Sequence, residues 1–85
     1  MSLEDRSSRI DRSRPLLLSE QVADDLRADI TSGEITGRLP GEHELAAQYG
    51  VSRVTIRRAV AILISEGLLQ TLRGRGTFVA DHQKG

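Results

Sequence analysis

The stretch VSRVTIRRA, Val51 to Ala59, gathers Arg53, Arg57 and Arg58 with the hydroxyls of Ser52 and Thr55. A guanidinium is a planar five-donor fork that keeps its charge at any ordinary pH, and it matches oxyanions bidentately. Such a set suits phosphate oxygens and the paired O6 and N7 acceptors of guanine, not proton transfer. A second basic pair, Arg73 and Arg75, alternates with glycine in RGRG, a composition that permits a tight turn with both cations at its tip. Material for catalysis is scarce: there is no cysteine, and His43 and His82 are the only histidines. His43 stands between Glu42 and Glu44, but sequence neighbours diverge around a helix and do not converge on a pocket. GRGTFV lacks the third glycine of a phosphate-binding loop and leads into a strand, not a helix. No catalytic residue, metal site or cofactor is expected, and the chain is not read as an enzyme.

Charge is arranged unevenly behind a formal net charge of zero. From Val51 to Gly85 six bases face two acids, net +4, whereas from Pro15 to Gly50 two bases face seven acids, net −5. A chain split this way suggests a basic side and an acidic side, a hint of nucleic-acid contact. With 85 residues, 38% hydrophobic and 28% charged, it has room for one small domain. The longest apolar run, AVAILI, falls far short of a membrane span, and the N-terminal residues lack the apolar stretch of a signal peptide. A cytoplasmic location without membrane attachment is the expectation, and the lack of cysteine fits a reducing compartment.

These side chains need a scaffold. Residues 1–14, polar and aperiodic, read as a disordered tail. Leu18, Val22, Leu26 and Ile30 recur every four residues and predict a helix over Ser19–Ser32, capped by Ser19 and ended by Gly33, with Asp24, Asp25 and Asp29 off its core face. GEITGRLP is a connection. A short helix from Gly41 or Glu42 to Tyr49 buries Leu45, Ala46 and Tyr49 and stops at Gly50. Ser52 caps the third helix, and Val51 and Ile56 have the spacing of a hydrophobic staple. Ile56, Ala59, Val60, Leu63 and Ile64 form its buried stripe, leaving Val54, Arg57, Arg58, Ala61 and Ser65 outside, and Gly67 ends it. LLQTL and TFVA alternate like two strands joined by RGRG, and residues 81–85 read as a frayed tail. The fold class is mainly α with a small β-hairpin: a winged helix-turn-helix domain over residues 15–80.

Taken singly, arginines on a helix are a solvated face and a glycine-rich tip is a turn. Their conjunction at the start of the third helix and at the hairpin tip favours duplex DNA, with the helix in a major groove and the tip in the neighbouring minor groove. LPGEHELAAQYGVSRVTIRRAVAILISEGLLQTLRGRGTFVA resembles the DNA-binding domain of the GntR family of bacterial transcription regulators. The matching blocks are Leu39 to Ala46, Gly50 to Val60, Leu63 to Leu68 and Gly74 to Val79, and the wording is closest to the HutC-like branch. The resemblance implies a regulator, commonly a repressor, that binds a palindromic operator as a homodimer. It also implies that Ser52, Arg53, Thr55 and Arg57 touch bases or phosphates. Arg73 and Gly74 would then reach the minor groove, with Arg75 and Arg58 as backbone contacts. His43 stands where many members carry a DNA-contacting arginine. Two departures are visible: GEITGRLP is about two residues shorter than the family's usual connection, and Gly41 replaces a preferred serine.

Family members continue into a domain that binds a small-molecule effector and dimerises. Two readings of the chain's end compete, a DNA-binding fragment, monomeric when isolated, or a single-domain protein. The alternative function is a protein-interaction module presenting the acidic first helix to a basic partner.

Overall fold

In the computed structural model, which describes residues 5–14 and 17–80, the four-residue recurrence becomes the inner face of α1, Leu18–Ser32. Val22 and Leu26 are fully enclosed and Ile30 nearly so. The helix begins one residue earlier than expected, with Leu17 at its cap position, so Ser19 lies inside the first turn and caps nothing. Helix α2, Glu42–Tyr49, buries Leu45 and Tyr49, and Gln48 with them. Gly50 follows with φ of 68°, the left-handed conformation that lets α2 stop and the chain turn within two residues. Helix α3, Arg53–Ser65, starts as its sequence predicts: Ser52 Oγ accepts the Thr55 N–H at 3.1 Å. It ends with the Gly67 N–H on the Ile64 carbonyl and the Leu68 N–H on the Leu63 carbonyl, the paired bonds of a Schellman motif.

Ile56, Ala59 and Leu63 of α3 are fully buried and join Val22, Leu26, Ile30, Leu39, Leu45, Tyr49 and Leu69 in one core. Ile64, expected inside, is 39% exposed. The hairpin that follows leaves one flank of α3 uncovered.

That hairpin consists of β1, Leu69–Leu72, and β2, Gly76–Val79, antiparallel with Leu69 opposite Val79 and Leu72 opposite Gly76. The connection before α2 pairs with the other edge of β2 at a single bridge. Arg38 bridges to Phe78, the Leu39 N–H reaches the Thr77 carbonyl and the Val79 N–H reaches the Gly37 carbonyl. The architecture is the winged helix-turn-helix that the sequence predicts.

Residues 5–14 depart from the disorder expected of them. Ser7–Arg9 form a 3₁₀ turn, and Ile10 enters the core. Arg6, 9% exposed, places its guanidinium 2.7 Å from carboxylate oxygens of both Asp25 and Asp29 and donates to the Tyr49 hydroxyl at 3.2 Å. The first four residues of that expected tail, and the tail expected at 81–85, lie outside the described residues.

Candidate nucleic-acid interface

Ser52 and Thr55 open α3 with their hydroxyls 3.0 Å apart, one capping the helix and both near its free N–H groups. Arg53, Val54, Arg57 and Arg58 are exposed around them, the pattern that the helical wheel predicts. Each turn carries the apolar residues to the core and leaves the cations outside.

Arg57 is not free. Its Nε donates to one oxygen of Glu42 at 3.2 Å and a terminal nitrogen donates to the other at 3.0 Å. The pair joins the first turn of α2 to the second turn of α3 and fixes the guanidinium plane. Hydrogen bonding from Arg57, with a further Coulombic pull from Arg53, holds the Glu42 carboxyl below the usual carboxylate range. Sequence spacing does not reveal this partner, because the two residues lie on different helices. His43, next to Glu42 in the first turn of α2, is exposed at the same helix end. Arg53 and Arg58 make no ion pair among the described residues.

At the hairpin tip, Arg73, Gly74 and Arg75 are all exposed, and the Arg75 N–H closes the turn onto the Leu72 carbonyl at 2.9 Å. Between α3 and the hairpin runs an open crevice of about 420 Å³. One wall is Arg57, Val60, Ala61 and Ile64 of α3, the other Thr71, Gly76 and Thr77 of the hairpin, with Arg38 to Glu42 along an end. The two basic groups singled out in the sequence therefore belong to elements that flank one concave surface.

The acidic face of α1 is engaged elsewhere. Asp25 meets Arg6 and Arg9, and Asp29 meets Arg6. Asp24 pairs with Arg27, which also holds Glu66 at 2.7 Å. None of these carboxylates pairs with Arg57 or Arg73 among the described residues. Burial alone would raise the Asp25 pKa, but hydrogen bonds from Tyr49, Arg6 and Arg9 outweigh it and hold the carboxyl below its ordinary value. Burial and the bond to Asp25 push the Tyr49 hydroxyl up.

Among the described residues no helix is long and apolar enough to cross a membrane. The family model described as bacterial regulatory proteins, gntR family, matches residues 18–79. The HTH-type transcriptional repressor NagR of Bacillus subtilis is 42% identical over 73 residues, covering 84% of this chain and 30% of that protein. The histidine utilization repressor of Klebsiella aerogenes is 47% identical over 72 residues, covering 82% of this chain and again 30% of the relative. The chain thus spans about a third of the length of these curated relatives. Among solved structures, the DNA-binding domain of AraR in complex with operator ORX1 superposes with a TM-score of 0.68 at 44% identity, covering 73% of this chain and 77% of that one. A family match over most of the chain, on a fold with the basic groups placed as above, leads to one conclusion: the chain belongs to the GntR family of bacterial regulatory proteins.

Proposed function

We propose that this chain is the operator-reading part of a bacterial transcription regulator, commonly a repressor in this family, and works on double-stranded DNA in the cytoplasm. The observation that carries the reading is the placement of the exposed α3 arginines and the Arg73–Arg75 tip on elements flanking one crevice. In this reading Arg53 and Arg57 address base edges in the major groove, with Ser52, Thr55, His43 and Arg58 on phosphates. Arg73 and Gly74 enter the adjacent minor groove, and Arg75 takes a phosphate beside it. Catalysis forms no part of this role. Dimerisation and the response to a small-molecule effector belong to further sequence of the kind that the longer relatives carry. A basic protein partner on α1 is less well supported, since Asp25 and Asp29 already hold Arg6 and Arg9.

Fluorescence anisotropy with a duplex selected by the wild-type chain from a random pool tests the proposal. Arg53→Ala and Arg57→Ala each weaken binding to the selected duplex by about 5- to 150-fold, the loss of one bidentate base contact. Affinity for arbitrary duplex falls much less. Full retention of affinity in both variants contradicts groove reading by α3.

A further inference from the structure

Arg38 belongs to no helix and to neither named strand, yet its place is fixed. The flanking backbone bonds, Leu39 N–H to the Thr77 carbonyl and Val79 N–H to the Gly37 carbonyl, are both 2.8 Å long. They tie the residue to the edge of the hairpin opposite Phe78. From there its guanidinium lies over Gly76: a Cβ built on Gly76 would stand 2.9 Å from Arg38 Nε and 3.4 Å from a terminal nitrogen. Gly76 has φ of 115°, so a side chain there would be strained as well as displaced by Arg38. The Arg38 side chain is exposed and makes no hydrogen bond or ion pair among the described residues.

Arg38 and Arg57 line the same crevice, together with Glu42. Glu42 neutralises Arg57, so Arg38 supplies the net positive charge of that surface. The remaining lining from α3, including Ala61 and the exposed Ile64, is apolar and offers no competing acceptor. A duplex with a helix in its major groove and a turn in the adjacent minor groove must pass one sugar–phosphate strand between them, because that strand is the wall separating the grooves. The crevice between α3 and the hairpin lies in its path. We infer that Arg38 is a DNA-backbone contact that clamps the phosphate bridging the two grooves, and that Gly76 is glycine partly to leave room for its guanidinium. This inference rests on the DNA-binding reading above.

The test measures log K against log[salt] for the wild-type chain, Arg38→Gln and Arg38→Lys on a duplex selected by the wild-type chain. Each phosphate neutralised contributes about 0.9 to the slope. Arg38→Gln lowers the slope by about that amount and weakens binding by about 5- to 10-fold at 100 mM salt, while Arg38→Lys restores the slope. Unchanged affinity and slope in Arg38→Gln overturn the inference alone. So does weaker binding with an unchanged slope, or a Lys variant that behaves like Gln, since either assigns Arg38 to hairpin packing. A wild-type chain that selects no duplex overturns the DNA-binding reading and this inference with it. Thermal melts of the variants, with Arg38 on the surface, match wild type.

Discussion

In the proposed reading, the Arg57–Glu42 ion pair serves recognition without contributing much stability. The Arg57 side chain is 64% exposed, so the pair gains little folding energy. Its effect is geometric, since a guanidinium held on two carboxylate oxygens presents its remaining donors in one plane. Glu42→Gln removes both the constraint and a negative charge facing the duplex. Affinity for arbitrary duplex at low salt therefore rises, while the ratio of selected to arbitrary affinity narrows by a few-fold. Paired anisotropy titrations on the two duplexes measure that ratio, and an unchanged ratio assigns Arg57 a phosphate contact with no reading role. The arginines and the Ser52 cap were legible in the sequence because helical periodicity separates outside from inside. Glu42 was not, since its partnership depends on how α2 crosses α3.

The segment before α1 teaches the same lesson at the scale of elements. Its polar, aperiodic composition reads as disorder, and helix and strand periodicities carry no signal for an element anchored by charge. What holds residues 5–14 is Arg6 between Asp25 and Asp29, a Tyr49 hydroxyl bonded to Asp25 at 2.5 Å, and Ile10 in the core. Contacts spanning 19 to 43 residues of sequence cannot be read from local pattern. Because folding lowers the Asp25 pKa below its ordinary 3.8, the folded chain binds fewer protons than the unfolded one between the two values. The contribution of this carboxylate is therefore complete above about pH 4 and fades as pH falls through the folded value. Asp25→Asn is less stable than wild type at pH 7 by about 1–2 kcal/mol, and the gap narrows as pH falls below the ordinary carboxylate value of 3.8. Urea melts across that range check it; a gap independent of pH would remove ionised Asp25 from the account. Ile64 failed for a related reason: the wheel places it inward, but burial requires a neighbour, and the hairpin stands away from that flank of α3.

For the whole molecule, the order of helices and hairpin was readable because each boundary carries its own chemistry: Gly33, Gly50 and Gly67 at helix ends, Ser52 at a helix start, RGRG at the tip. The bridge from Arg38 to Phe78 was hidden in a connection too short to show alternation. In the proposed reading, a domain with one recognition helix reads one half-site, and a palindromic operator calls for two. Fusing the chain to a parallel coiled coil through a flexible linker raises affinity for a two-half-site duplex by about 10²- to 10⁴-fold over the single chain, through effective concentration alone. Equal affinities for fused and single chains would mean that the half-sites are not read together. The most direct test of the central claim is an NMR titration of labelled chain, single and fused, with the selected duplex at low and high salt. Groove reading by α3 and the hairpin tip gives shifts concentrated at Ser52 to Arg58 and Arg73 to Gly76 that vanish at high salt. Shifts confined to the acidic face of α1, or none in the fused protein on any duplex, would contradict it.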